Sequence, residues 1–286
     1  MNKIFSKLFF QVNRLFFHKH HPFHDLKNGI NDLNYTDFEY SHCRQMLEQY
    51  QGFINLEELR NKKILEIGCG GGGKIIYISE KYNCEAIGVD IHLGFLDQAI
   101  KKAEEKNVSD KVTFQEQNAL SLDFYENSFD FILMSDVLEH IPETRKLIHE
   151  VTRVLKPGGK ILFDFAPYYH YFGHHLWDTI QIPWLHLFTT ESCRIALYKK
   201  SVEGFPDAQK RIDLRIGKQN NGTETFSYLN KITRKQFESI IFECEDKKMF
   251  DKCTISYFML KNITTLGRIP FLREMFIRHI VGVIRK

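Results

Sequence analysis

The chain has 286 residues, of which 43% are hydrophobic and 26% are charged, and its formal net charge is +3. This length allows one large α/β domain with additional segments, and the composition is ordinary for a folded protein. The small net charge argues against a dedicated nucleic-acid binder, and the lack of any apolar run of about 18 residues argues against a membrane-spanning helix.

The N-terminal residues 1–27 carry five Lys or Arg against one Asp, and apolar side chains recur at helical spacing from Ile4 to Phe16. This pattern predicts an amphipathic helix. Two interpretations stay open: the helix packs on the domain or caps its active site, or it lies in an anionic membrane interface. Basic residues interrupt the apolar stretch, so a secretory signal is not expected, and an organelle-targeting peptide is a third interpretation.

From residue 61 the sequence alternates short apolar runs with amphipathic segments, which predicts a parallel sheet with crossover helices. A Lys-Pro-Gly-Gly turn ends the helix that precedes the fifth strand. The predicted strands cover 63–67, 85–90, 111–115, 129–134, 160–165 and 253–260, and the predicted helices cover 73–82, 94–106, 143–155 and 233–242.

The alternation lapses over residues 166–230, which are rich in aromatic side chains and histidines and form a predicted insert. The C-terminal residues 261–286 carry six Lys or Arg against one Glu, with apolar side chains at helical spacing from Phe271 to Ile284. They predict a second basic amphipathic helix, which is open to the same two interpretations as the first.

A glycine-rich turn at 68–73 follows the first strand, and Asp90 ends the second strand. Glycines let the backbone approach a ligand closely, and the N-terminus of the following helix presents free N–H groups. The turn therefore predicts a nucleotide site. By itself, it fits the fingerprint of a dinucleotide-binding dehydrogenase as well.

Several further segments follow this turn in a fixed order, and as a set they resemble the class I S-adenosylmethionine-dependent methyltransferase family. The resemblance covers residues 60–166 and includes that family's E/D-x-G-x-G signature. It implies a doubly wound, mostly parallel seven-stranded sheet of the Rossmann-like α/β class, with S-adenosylmethionine as cofactor. The matching segments are 66–70, 88–91, 117–119, 135–140 and 155–159.

The resemblance also implies roles for individual residues at the cofactor. Asp90 accepts hydrogen bonds from the ribose hydroxyls, and Glu66 orients the loop and helps to hold the methionine amino group. Asn118 stands where the family usually has an acid and would contact the adenine amine, while Ile91 and Ala119 enclose the adenine ring. The full predicted set is Glu66, Gly68, Cys69, Gly70, Asp90, Ile91, Asn118, Ala119 and Ser135.

Together, the pattern and the resemblance divide the chain into five parts. They are an N-terminal helix and linker (1–60), a cofactor-binding core (61–166), a substrate-lid insert (167–230), the last helix and strands of the core (231–260) and the basic C-terminal segment (261–286).

Three other classes of protein are considered. A nicotinamide-dependent dehydrogenase is disfavoured by Glu66 and by the Lys-Pro-Gly-Gly turn. An amino-methylating DNA enzyme is excluded because residues 134–137 do not form that class's N/D-P-P-Y/F turn. A non-catalytic scaffold that keeps the cofactor fold stays open, although the intact cofactor residues argue against it.

Methyl transfer requires an aligned acceptor and, for an acidic O–H or N–H group, a base. Histidine suits that role near neutral pH, and the candidates are His140 after the fourth strand and His174 in the insert. The aromatic insert predicts a small lipophilic or lipid-linked acceptor methylated on oxygen or nitrogen, with a soluble metabolite as the alternative. The predicted substrate residues are Tyr168, Tyr169, Trp177 and His186.

The six cysteines form no CxxC pair and no spacing typical of a metal site. They predict reduced thiols in a cytoplasmic protein, which the basic termini could hold at the inner face of a membrane. A metal site built from the histidines of the insert is disfavoured on ligand spacing, so no metal is predicted.

Overall fold

The computed structural model describes residues 3–16, 34–260 and 272–286. The chain divides into two compact units. The sheet unit consists of Asn34–Phe165, Arg234–Phe258 and His279–Lys286. The insert unit consists of the described residues within Met1–Leu33, Ala166–Thr233 and Met259–Arg278.

Nine helices and nine strands lie in these described ranges. The helices are α1 (Lys3–Phe16), α2 (Tyr35–Glu48), α3 (Gly73–Tyr82), α4 (Leu96–Glu105), α5 (Thr144–Val154), α6 (Leu185–Phe188), α7 (Glu191–Ser201), α8 (Ala208–Arg215) and α9 (Arg234–Asp246). The strands are β1 (Lys63–Ile67), β2 (Glu85–Asp90), β3 (Val112–Glu116), β4 (Phe129–Ser135), β5 (Leu155–Phe165), β6 (Ile216–Lys218), β7 (Glu224–Phe226), β8 (Lys252–Met259) and β9 (Ile277–Arg285). Short 3₁₀ turns occupy Leu56–Leu59, Leu138–His140 and Arg273–Phe276.

Seven strands form one sheet in the order β3-β2-β1-β4-β5-β9-β8. Strands β1 to β5 pair in parallel, and β9 pairs antiparallel with β5. This confirms the predicted mostly parallel, doubly wound sheet. The strand order reverses between β1 and β4, and open α/β sheets bind their ligands at the carboxyl edge beside such a reversal.

The inner strands are buried because their side chains are apolar on both faces, as parallel sheets require. In β1, for example, Ile64, Leu65 and Ile67 are all buried. Helix α2 packs against α3 and contributes Cys43 and Leu47 to the same core. The sheet unit therefore begins at Asn34, well before the predicted core boundary at residue 61.

The predicted C-terminal amphipathic helix is wrong over residues 277–285, which form strand β9. Its register with β5 runs from Lys160↔Arg285 to Phe165↔Ile280. The apolar residues of β9 are all Ile or Val, whose branched side chains favour a strand. They are also buried along nearly its whole length, so their helical spacing has no bearing on the fold. Of the remainder of that prediction, Arg273–Phe276 forms a 3₁₀ turn, and residues 261–271 lie outside the described part of the chain.

The insert unit has its own apolar core, to which α1 contributes Phe9. The buried side chain of Asn13 fastens this helix, since its Nδ2 donates to Thr179 O (2.9 Å) and its Oδ1 accepts from the Gln181 N–H (2.8 Å). The predicted N-terminal helix is thus confirmed, and it packs on the insert. Within the described residues, no helix is long and apolar enough to cross a membrane.

Candidate functional site

The glycine loop turns sharply between the end of β1 and the start of α3. Gly68, Gly70 and Gly72 adopt φ values of +67°, +54° and +72°, a region that side chains with a Cβ rarely enter. A Cβ on Gly68 would also overlap the side chain of Val137. The loop therefore needs glycine both for its conformation and for its close approach to the segment after β4.

A cavity of about 250 Å³ opens beside this loop at the carboxyl edge of the sheet. Its wall combines backbone of the glycine loop with side chains that follow β2, β3 and β4, which is where this topology places a ligand. Among the predicted site residues, it is lined by Gly68, Asp90, Ile91, Ala119 and His140.

Asp90 is held in place at the rim of the cavity. Its Oδ2 accepts a hydrogen bond from the Gly70 N–H (3.0 Å) and its Oδ1 accepts one from the His92 N–H (3.2 Å). A carboxylate has about four lone pairs, so both oxygens can accept further bonds from two hydroxyl groups. The geometry suits the predicted contact with a ribose.

Ile91 and Ala119 present apolar surface to the same cavity, and Ile91 is 73% exposed. Asn118 is exposed next to Ala119, and its Oδ1 accepts a hydrogen bond from the Leu120 N–H (2.9 Å). Its contact with an adenine amine stays a prediction. The neighbouring Gln117, which the motif comparison did not single out, lines the cavity directly.

Glu66 lies fully buried in β1 just before the glycine loop. Lys74 Nζ is 3.4 Å from its Oε1, yet neither carboxylate oxygen accepts a well-formed hydrogen bond from the described residues. Burial raises the pKa of this carboxyl group to about 8. A buried acid with unused oxygens can bind a cationic group such as a ligand's ammonium.

Two other predicted cofactor residues turn their side chains into the protein. Cys69 is fully buried against Gly88, and burial raises the pKa of its thiol. Ser135 is buried at the end of β4 and hydrogen-bonds to Asp164. Any contact of Cys69 with a ligand must therefore come from its backbone.

A second polar group lies at the ends of β4 and β5. Asp136 adopts φ +54° and its N–H donates to Asp164 O (3.0 Å), while His279 Nε2 lies 3.3 Å from Asp136 Oδ1. Tyr50 donates to Asp164 Oδ2 (2.6 Å), and burial raises the pKa of Asp164 to about 6. Ligand atoms of Asp136, Asp164 and His279 lie within 4.8 Å of one another, so this group could hold a metal ion.

His140 is the candidate base that the structure places at the cavity. It lies exposed in the 3₁₀ turn after β4, and its N–H donates to Val137 O (2.9 Å). His140 lines the cavity together with Gly68 and Asp90. The position is compatible with proton removal from a bound acceptor.

His174, the second candidate base, has a structural role instead. Its Nδ1 accepts from the Leu176 N–H (3.0 Å), and its Nε2 donates to Ile182 O (3.2 Å). Burial lowers its pKa to about 3. Since both ring nitrogens are engaged and protonation is disfavoured, the prediction that His174 accepts a proton from substrate does not fit its surroundings.

The insert unit brings together most of the predicted substrate residues. The ring of Tyr168 lies 5.8 Å from that of Tyr169 and 4.9 Å from that of His186, measured between centroids. His186 is buried, which lowers its pKa to about 4. Trp177 is half-buried, and its backbone oxygen accepts from Gln181 Nε2 (3.0 Å). Asp178 is buried between Arg211 and Arg215.

Helix α2 supplies residues that the sequence reasoning missed. Thr36 Oγ1 donates to Gly71 O (2.7 Å), and Glu39 Oε2 accepts from the Gly73 N–H (3.2 Å). Tyr35 lies against Gly70. No motif precedes β1 in the sequence, so only the packing of α2 on the glycine loop reveals these contacts.

This chain is similar to known methyltransferases. A family model described as a methyltransferase domain matches residues 65–163. Tocopherol O-methyltransferase of Arabidopsis thaliana is 30% identical over 149 residues, which are 51% of this chain and 42% of that protein. Phosphoethanolamine N-methyltransferase 2 of Caenorhabditis elegans is 34% identical over 99 residues, which are 35% of this chain and 22% of that protein. The chain thus spans less than half the length of either relative.

A solved structure from Listeria monocytogenes, named for the S-adenosylmethionine-dependent methyltransferases, shares the fold with a TM-score of 0.51. It is 13% identical, and the alignment covers 85% of this chain and 98% of that one, so the likeness concerns the fold alone. Gly68 and Asp90 line the cavity, and Glu66 lies buried in β1 just before the glycine loop. Residues 65–163 form a methyltransferase domain of the class I S-adenosylmethionine-dependent type.

Proposed function

We propose that the protein transfers a methyl group from S-adenosylmethionine to an oxygen or nitrogen atom of a small acceptor. The observation that carries this proposal is the cavity at the carboxyl edge, which Asp90 lines beside the glycine loop, together with Glu66, which lies buried in β1 just before that loop. Asp90 is suited to bind the ribose hydroxyls of the cofactor, and Glu66 is suited to bind its ammonium group.

The bound cofactor supplies an electrophilic methyl group on a sulfonium centre. Asp90 would hold its ribose and Glu66 its ammonium group, and Ile91 and Ala119 would enclose its adenine ring. His140 removes the proton that an O–H or N–H acceptor loses as it is methylated. Alignment is the larger contribution, because an in-line displacement depends on the approach geometry.

The acceptor is proposed to be small and at least partly apolar. The relatives are named for tocopherol, a lipophilic phenol, and for phosphoethanolamine, a polar amine, so both O- and N-methylation stay open. The close aromatic rings of Tyr168, Tyr169 and His186 favour an acceptor with an apolar or planar part.

An anionic membrane surface is the proposed location of such an acceptor, on the cytoplasmic side. On α1, Leu8, Leu15 and Phe16 are 59%, 77% and 41% exposed. Lys7 and Arg14 flank this apolar stripe on the helix. Apolar side chains beside basic ones are the pattern of helices that lie in a membrane interface.

Transfer of a labelled methyl group tests the proposed reaction. The full chain is incubated with S-adenosylmethionine labelled in its methyl group and with either a tocopherol-type phenol or phosphoethanolamine, in the presence of anionic vesicles. Label in the organic extract identifies a lipophilic acceptor, and label in the water-soluble product identifies the amine. If neither product is labelled and a cell extract offers no acceptor either, the proposal is wrong.

A further inference from the structure

Three charged side chains from three elements meet beneath the glycine loop. Glu39 comes from α2, Glu66 from β1 and Lys74 from α3. Lys74 Nζ lies 2.8 Å from Glu39 Oε1 and 3.4 Å from Glu66 Oε1, so the lysine is drawn toward Glu39. Both glutamates are buried, and the lysine side chain is only 14% exposed.

Glu39 also binds the backbone of the glycine loop. Its Oε2 accepts from the Gly73 N–H (3.2 Å), and a Cβ on Gly71 would lie 2.9 Å from that same oxygen. A Cβ on Gly73 would overlap the backbone of α2 at Thr36. The approach of α2 thus requires glycine at two positions of the glycine loop, Gly71 and Gly73, whether or not a ligand is bound.

The cluster of Glu39, Glu66 and Lys74 contains two carboxyl groups and only one ammonium group. Two buried carboxylates share one ammonium group, and Glu66 has no well-formed hydrogen bond from any described residue. A buried charge without a partner is strongly disfavoured, so the free protein must either take up a proton or bind a cation. The other titratable groups that act on these three add no positive charge; they are Tyr35 and Cys43 of α2, Cys69 of the loop and Asp90 of β2.

We propose that Glu39 is a positioning residue for the cofactor. By binding Lys74, it leaves Glu66 without a full partner, and the ammonium group of the bound cofactor takes that place. The inference rests on the proposed function, because it assumes that the cofactor's amino acid end reaches Glu66. It adds a helix outside the matched domain to the cofactor site.

The consequence is a proton released when the cofactor binds. Burial raises the pKa of Glu66 to about 8, so at pH 7 the free protein carries a proton there. An ammonium group at Glu66 favours the ionised form and expels this proton. Affinity should then rise up to tenfold per pH unit between about pH 6 and 8 and level off above.

Titration calorimetry with S-adenosylhomocysteine, in buffers of different ionisation enthalpy at pH 7, measures this proton. The wild-type chain should release close to one proton. Methylthioadenosine, which lacks the amino acid end, should bind without releasing one. Equal proton release by both ligands would overturn the proposal without any variant being needed.

Glu39→Gln frees Lys74 to pair with Glu66, so proton release should fall toward zero and affinity should drop about tenfold. Lys74→Met leaves two carboxylates without a cation, so the pH at which affinity levels off should rise. Glu48→Gln on the exposed part of α2 is the matched control and should behave as wild type. Unchanged proton release in folded Glu39→Gln overturns the inference, whereas a wild-type chain that binds no S-adenosylhomocysteine overturns the proposed function itself.

Discussion

Glu66 shows how one buried acid can serve binding at the expense of folding. Its carboxyl group is fully buried, and its folded-state pKa of about 8 lies far above its ordinary value of 4.5. Between pH 4.5 and about pH 8, the folded chain therefore binds more protons than the unfolded chain. The free energy of unfolding decreases as pH rises through this range. Selection for stability alone would not keep such a group.

Glu66→Gln should separate the two effects. Glutamine cannot ionise, so in the absence of cofactor the variant should be more stable than wild type at pH 8 by roughly 4 kcal/mol, with a smaller difference at pH 5. The same variant should bind S-adenosylhomocysteine more weakly. Urea denaturation at both pH values measures the first effect, and a variant less stable than wild type at pH 8 would contradict the burial argument.

The two candidate histidines differ in their surroundings and should differ in their variants. His140→Ala removes an exposed side chain at the cavity, so turnover should fall roughly 10²–10⁴-fold while the free energy of unfolding changes by less than about 0.5 kcal/mol. His174→Ala is the comparison. It leaves two buried backbone groups without partners and should cost about 1–3 kcal/mol of stability, with turnover per folded molecule kept.

Steady-state kinetics and chemical denaturation on both variants make this comparison. A His140→Ala enzyme with wild-type turnover would exclude His140 as the base. Loss of turnover in fully folded His174→Ala would instead return that residue to the active site.

At the scale of the elements, the sequence predicted correctly those helices and strands whose bounds depend on neighbouring residues. Helix α3 and strand β2 have the predicted bounds, because a glycine turn and a strand-ending acid mark them in the sequence. Strand β9 was missed because its partner β5 lies more than a hundred residues away in the chain. The role of α2 was missed for the same reason, since Glu39 meets the glycine loop only after folding.

In the candidate site, too, features marked by the local sequence could be predicted, and features set by distant packing could not. The contacts of Asp90 and the exposure of Ile91 could be anticipated from strand ends and a family pattern. The inward-turned Cys69 and the structural contacts of His174 could not, because burial and backbone partners are set by the packing of distant segments.

The apolar stripe of α1 gives a prediction at the element scale. Leu15→Ser combined with Phe16→Ser removes exposed apolar surface and leaves Phe9 and Asn13, which fasten the helix, in place. Co-sedimentation of the full chain with anionic vesicles should fall about tenfold or more, from the lost burial of two apolar side chains. Gln11→Ser, at an exposed polar position, is the control. Equal sedimentation of the variant and the control would assign the helix to packing alone.

At the scale of the whole molecule, the groups suited to the cofactor all lie in the sheet unit, while the aromatic residues suited to an acceptor lie in the insert unit. The sheet unit draws on three separate stretches of the chain, including α2 and the last strand. Residues 65–163 alone therefore lack parts of the sheet and the helix that closes the glycine loop.

The most direct test of the account is the dissociation constant of S-adenosylhomocysteine, measured by titration calorimetry on the full chain and on Asp90→Ala. The wild type should bind one equivalent, and the variant should bind at least about tenfold more weakly because two charge-assisted hydrogen bonds to the ribose are lost. Asp97→Ala, an exposed acid in the first turn of α4, should bind as wild type. No binding by the wild type, or equal binding by Asp90→Ala, would contradict the assignment of the cofactor site.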